Sequence, residues 1–174
     1  MIGNVHVISF SPCGGTEKVM RAITRDLPLP RQHHNITLPR DRTKEMRFGR
    51  DDLVFLGFPS YGGNMPLYFS SLIAHLKGAG TPLVMVVAYG NREFEGAFLD
   101  MHQGVSASGF TPVAAIAAIA QHSGAPHIAS GRPDAEDREK LARLGLDALR
   151  MSHNGRGSMP RLRAPRTRDR RGGP

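Results

Sequence analysis

Asp52-Leu53-Val54-Phe55-Leu56-Gly57-Phe58 carries one charge at its start and is apolar thereafter, and it runs straight into Pro59-Ser60-Tyr61-Gly62-Gly63-Asn64. A short apolar run that stops at Pro, Gly and Asn fits a strand buried on both faces; a half-exposed strand would alternate polar and apolar residues. The same order recurs at Val5-His6-Val7-Ile8-Ser9, which leads into Ser11-Pro12-Cys13-Gly14-Gly15, and at Pro82–Ala88 (PLVMVVA), which leads into Tyr89-Gly90-Asn91.

Helical patterns fill the intervals, at Thr16–Leu27, near Pro66–Lys77, over Phe94–Ser108 and over Asp134–Arg150. The last has Pro133 and Asp134 placed to start it, with Glu136 and Asp137 in its first turn, where acids complement the helix dipole. His34–Leu38 reads as a weaker second strand. Phe110–Ala120 contains a fifth, although its alanines keep a helix tenable as the alternative. Arg40–Arg50 (RDRTKEMRFGR) is charge-dense with little period, either a long connection or a short exposed helix. Buried strands alternating with amphipathic helices predict an α/β fold: a doubly wound, five-stranded parallel sheet with helices on both faces, a three-layer sandwich.

The chain has 174 residues, enough for one ordinary domain. Its net charge of +8 is unevenly spread: residues 151–174 hold seven arginines and one aspartate, or +6, leaving +2 for residues 1–150. The division expected is a folded domain over 1–150 and an Arg-rich appendix over 151–174. That appendix has no apolar period and reads as disordered, either simply solvated or touching phosphates of nucleic acid. One cysteine, Cys13, excludes an internal disulfide, a four-thiolate zinc site and a protein-ligated iron–sulfur cluster. The longest wholly apolar stretch, Val113–Ala120, falls well short of the ~20 residues of a spanning helix. With no basic leader before the first strand, a cytoplasmic protein with no membrane association is expected.

In an open parallel sheet, ligands bind beyond the carboxyl ends of the strands. After the first strand, Ser11-Pro12-Cys13-Gly14-Gly15-Thr16 enters a helix directly, so small residues and free N–H groups could receive a phosphate. The alternative is a tight strand-to-helix turn. A Walker loop needs Gly-Lys-Ser/Thr, which Gly15-Thr16-Glu17 does not supply, and the dinucleotide pattern G-x-G-x-x-G is absent. A phosphatase-type cysteine loop needs an arginine where this chain has Val19. After the third and fourth strands, Tyr61 and Tyr89 each stand beside a glycine, giving rings and exposed backbone to a flat heterocycle. A phosphate loop flanked by these two segments points to flavin mononucleotide, FMN.

On these residues the chain resembles the flavodoxin superfamily, and in particular the flavodoxin domain of fused flavodoxin/4Fe-4S ferredoxin proteins. The segments that carry the resemblance are FSPCGGT (10–16), FPSYGGNMP (58–66), AYGNREFEGAF (88–98), His122-Ser123 and SGRPDAED (130–137). The resemblance implies a flavodoxin-like fold that binds FMN and passes electrons to or from a separate redox protein, a ferredoxin or a reductase. It implies that Ser11, Cys13, Gly14, Gly15 and Thr16 surround the phosphate. Pro59, Ser60, Tyr61, Gly62 and Gly63 would lie along the ring system, and Tyr89, Gly90, Asn91, Arg92 and Phe94 would close its other side. The Gly62-Gly63 peptide would be the group that reorients when the ring gains a proton. No catalytic residue in the strict sense and no metal ligand is implied.

Three departures from the family accompany this. Hydroxyl residues are usual where this chain has Cys13 and Gly15, and charge-assisted hydrogen bonds contribute ~1.5–3 kcal/mol each. The cluster-binding module is missing, its place taken by the arginine appendix. The body is nearly neutral where flavodoxins are acidic, which favours a less negative reduction potential.

Two other functions fit the same sequence. One is an NAD(P)H-dependent FMN or quinone reductase on the same fold; the other is a flavin-free interaction domain with a nucleic-acid-binding basic tail. Of the eight histidines, His33-His34 and His122/His127 lack a further ligand at metal spacing, and His122 alone sits in a loop able to approach the flavin. Gly104-Val105-Ser106-Ala107-Ser108 misses the nucleophile-elbow pattern.

Overall fold

A computed structural model describes residues 1–91 and 93–154. Five strands, β1 (Asn4–Ser9), β2 (Arg31–Asn35), β4 (Asp52–Pro59), β6 (Thr81–Tyr89) and β7 (Phe110–Ile119), form one sheet in the order β2-β1-β4-β6-β7. Every pairing in it is parallel. Two short strands, β3 (Met46–Phe48) and β5 (Leu76–Gly78), pair with each other beside it. The helices are α1 (Gly15–Thr24), α2 (Phe69–Ile73), α3 (Glu95–Ala107) and α4 (Ala135–Asn154).

Side chains on a strand alternate between faces, so β4 sends Leu53 and Phe55 one way and Val54, Leu56 and Phe58 the other, all fully buried. The first set packs under α1 and α4 with Val19, Met20, Ile23, Leu141 and Leu149. The second packs under α2 and α3 with Phe69, Ile73, Met101 and Val105. Two glycines bring α1 into direct contact with its neighbours. A Cβ at Gly57 would overlap the Met20 thioether, and one at Gly145 would overlap the carbonyl oxygen of Ile23.

The five-stranded parallel sheet and its two helical layers agree with the sequence reading, and Phe110–Ile119 is strand and not helix. The helix expected near Pro66–Lys77 is corrected: only Phe69–Ile73 is helical, and Leu76-Lys77-Gly78 pairs with Met46-Arg47-Phe48. The apolar period was a good guide to burial, since Phe69, Leu72, Ile73 and Leu76 all enter one core. Backbone geometry decides the difference, because Gly78 lies against the backbone of Gly109, closer than any side chain allows. Arg40–Arg50 is neither alternative alone, but a single 3-10 turn (Pro39–Arg42) followed by β3.

The second strand begins at Arg31, three residues before the expected His34, because an edge strand of mostly exposed residues has no apolar run to mark it. The last helix starts where expected. Asp134 Oδ1 accepts from the Asp137 N–H at 2.9 Å and Asp137 Oδ2 accepts from the Asp134 N–H at 3.0 Å, a reciprocal cap. It continues to Asn154, so Met151, Ser152 and His153 belong to the helix and not to the appendix. The disorder and nucleic-acid expectations for the rest of the tail fall outside the described residues. Among the described residues no helix is long and apolar enough to cross a membrane.

Candidate functional site

Beyond the carboxyl ends of β1, β4, β6 and β7 lies a cleft of about 250 Å³, walled by the four loops that follow these strands. The first wall is the β1–α1 loop. Its chain reverses at Gly14, whose φ of 78° is left-handed and free of steric cost only for glycine. The Gly14 N–H donates to the Ser11 carbonyl at 3.2 Å, and the Glu17 N–H donates to Ser11 Oγ at 3.0 Å. Thr37 Oγ1 accepts from the Ser11 N–H at 2.8 Å, pinning the loop to the segment after β2. These bonds leave the N–H groups of Cys13, Gly15 and Thr16 with no partner among the described residues. Together with the positive end of α1 they form a cradle for an anion. Ser11, Cys13, Gly15 and Thr16 line the cleft; Gly14 shapes the turn without lining it.

The second wall follows β4. Ser60 is fixed at both ends: its N–H donates to the Ala88 carbonyl at 2.8 Å and its hydroxyl to the Glu93 carbonyl at 2.9 Å. Tyr61 and Asn64 then face each other across Gly62 (φ 60°) and Gly63 (φ 85°), a two-residue turn with both central residues left-handed. Asn64 Nδ2 donates to the Gly62 carbonyl at 3.1 Å, while the Gly63 carbonyl accepts from the Ala97 N–H of α3 at 2.8 Å. Pro59, Ser60, Tyr61 and Gly62 therefore line the cleft, and Gly63 faces α3. Tyr61 is half-exposed; partial burial, with the Cys13 sulfur nearby, raises its phenol above the ordinary tyrosine range.

The third wall is the end of β6. Tyr89 and Gly90 line the cleft. Phe94 does not; its ring backs Tyr89 at 4.7 Å between centroids and is itself met edge-on by Phe98 at 5.9 Å. Asn91, left-handed at φ 60°, is exposed and does not line the cleft. Arg92 lies outside the described residues.

The fourth wall, after β7, adds Ala120, Gln121 and Ser123 to the lining, joined by Ala88 at the end of β6 and by Pro12 within the β1–α1 loop; of these, Ala88, Ala120 and Gln121 carry no expectation from the sequence. Alanines such as Ala88 and Ala120 leave no sequence signal. His122, singled out by its position after the fifth strand, does reach the cleft. All described lining residues are formally neutral, apart from the titratable His122, Cys13 and the tyrosines. Among the described residues no group of three or more His, Cys, Asp or Glu is placed to hold a metal.

No family model matches the chain, and no curated protein matches it. Solved structures do. Flavodoxin 1 from Bacillus cereus superposes with a TM-score of 0.61 at 17% identity, over 85% of this chain and 98% of that one. A flavodoxin from the domain Archaea superposes at 0.56 and 17% identity, over 86% of this chain and 99% of that one. The Flv1 flavodiiron core from Synechocystis sp. PCC6803 superposes at 0.57 and 13% identity, with 87% of this chain matching 36% of that one. The architecture is the flavodoxin-like fold.

Proposed function

We propose that this chain, on its flavodoxin-like fold, binds FMN in the cleft and serves as an electron carrier to a separate redox protein. The observation that carries the reading is the anion cradle and the two tyrosines opening into one cleft, whose described lining residues carry no formal charge. The donor set fits the cofactor: three unpartnered N–H groups suit a phosphate, and Tyr61 and Tyr89 offer faces to a flat ring. When bound, FMN supplies the one- and two-electron redox chemistry.

The chain's part is to bind, orient and tune. Cys13, Gly15 and Thr16 would hold the phosphate through backbone N–H groups, with the Ser11 hydroxyl keeping the loop in shape. Tyr61 would cover the ring as a neutral phenol, as any tyrosine is at pH 7, and burial raises its pKa further. The Gly62 carbonyl, held by Asn64 Nδ2, is the backbone group free to exchange partners when a proton arrives near it. Phe94 stiffens Tyr89 from behind.

An absorption spectrum of the protein after addition of FMN and desalting tests the binding. Retained flavin bands and two one-electron steps in a reductive titration are the expected result. A colourless protein refutes FMN binding, and prompt oxidation of NADPH by the loaded protein alone makes it a reductase.

A further inference from the structure

We propose that His122 is a neutral hydrogen-bond donor locked in one tautomer and aimed at an acceptor oxygen of the bound flavin nucleotide. The inference rests on the FMN reading above. Its basis is the ring's own hydrogen bonds. His122 Nδ1 accepts from the Gly124 N–H at 3.1 Å and from the Ala125 N–H at 3.0 Å. A ring nitrogen that accepts carries no proton, so the neutral imidazole has its proton on Nε2. No described residue accepts a hydrogen bond from that Nε2–H.

The ring cannot easily turn elsewhere. The His122 backbone N–H donates to the Ile128 carbonyl at 3.1 Å, closing the loop around it. On the other side the ring lies close against the chain at Gly90, where a Cβ would come within 2.6 Å of its Cδ2 and 2.9 Å of its Cβ. Any residue but glycine at position 90 would displace the imidazole. Gly90 therefore does two jobs: it ends β6 at the cleft and makes room for the histidine.

Two other side-chain donors of the cleft are already committed. The Ser60 hydroxyl donates to the Glu93 carbonyl, and the Gln121 amide donates to the Pro126 carbonyl. Ser11 and Thr16 are nearly enclosed, at 7% and 3% exposure. The phosphate loop offers Cys13, a weak donor, and Gly15, which has no side chain. A fixed N–H from the fourth wall adds a strong directional donor without adding charge to the cleft.

Histidine-selective ¹⁵N NMR and FMN titration of three proteins test this. His122→Asn is the informative variant, because an amide oxygen can replace Nδ1 as acceptor for the Gly124 and Ala125 N–H groups, while nothing replaces Nε2. His122→Ala removes both functions. We expect the wild-type spectrum to show the proton on Nε2, and both variants to bind FMN about tenfold more weakly, the loss of one hydrogen bond. Unmoved Gly124 and Ala125 amide resonances in His122→Asn will show that its loop is intact. Wild-type affinity in His122→Asn overturns the proposal and reduces the histidine to a loop cap. So does a proton on Nδ1. Wild-type protein that retains no FMN overturns the cofactor reading itself, which separates the two failures.

Discussion

Glycine serves opposite purposes at two regions of this molecule. Under α1 and α4, Gly57 and Gly145 are places where any side chain would strike a neighbour, the Met20 thioether in one case and the Ile23 carbonyl in the other. At the cleft, Gly14 and Gly62 stand in open space, with nothing within 4 Å of a would-be Cβ, but at φ values of 78° and 60°. One region spends glycine on proximity and the other on backbone direction. The first kind of position holds the fold together and the second shapes the ligand site. Substitutions should divide along that line.

The largest effect is expected at Gly145→Ala. On an exposed helix this change would stabilise by about 1 kcal/mol through helix propensity. Here the added methyl meets a backbone carbonyl, which has no rotamer to escape into, so α1 and α4 must separate. Overpacking costs about 1–3 kcal/mol, and a clash with rigid backbone belongs at the upper end, about 3 kcal/mol. We expect the clash to win, with a net loss of about 2 kcal/mol and a Tm lower by about 5 °C in a thermal melt. An unchanged or higher Tm would mean that the two helices do not approach through this glycine.

Gly62→Ala should be milder in stability and sharper in function. Its methyl meets nothing, so the cost is the left-handed backbone alone, about 1–2 kcal/mol. A shifted turn would also move the Gly62 carbonyl from Asn64 Nδ2. The spacing between the two one-electron potentials of the FMN-loaded protein should change. If stability falls and that spacing does not, the Gly62-Gly63 peptide has no part in tuning.

A smaller contrast appears with pH. Burial is the chief cause that lowers the pKa of His33, His34 and His75, helped by Arg21 and Arg31, by His6 and His33, and by Arg42 respectively. A histidine whose folded pKa lies below its unfolded value, about 6.5, contributes its full stability above that value. The contribution is lost as pH falls through the folded pKa. The α4 cap behaves otherwise: the hydrogen-bonded Arg132 guanidinium holds the Asp137 carboxyl below the usual range, so that contribution disappears only in stronger acid. Urea midpoints should therefore fall between pH 7.5 and 5.5, and His34→Gln should flatten the slope. An unaltered slope in that variant would remove His34 as a source.

These contrasts also explain what could be read from the sequence. β4 and β6 were legible because a strand buried on both faces must be apolar throughout, and their Tyr-Gly ends marked the cleft. β2 was misplaced by three residues because its side chains are mostly exposed and carry no pattern. The α2–β5 segment was misread because an apolar period of three and four is satisfied equally by one helical turn followed by a strand. Within the site, Tyr61 and Tyr89 announced themselves as aromatics, whereas Ala88 and Ala120 contribute backbone and have no signature. Gly63 and Phe94 lie in loops that wall the cleft but face α3 and the back of Tyr89. Sequence spacing cannot show which side of a turn a residue occupies.

Gly15→Ser sets the lower bound on the contrast. Gly15 belongs to the cleft but is constrained by neither device. Its φ is not left-handed, and a Cβ there would rest 3.5 Å from the Ala120 Cβ, an ordinary contact. The glycine is therefore dispensable to the backbone, and stability should change by no more than about 0.5 kcal/mol. A hydroxyl added at this position would join the cradle of Cys13, Gly15 and Thr16 N–H groups. Hydrogen bonds to charged groups contribute about 1.5–3 kcal/mol, so FMN should bind at least tenfold more tightly. Riboflavin, which has no phosphate, should bind unchanged. Equal gains for both ligands would show that the serine acts on the ring or the ribityl chain. A gain for neither would place the phosphate away from α1, and with it the premise that this loop is the anion-binding wall of the cleft.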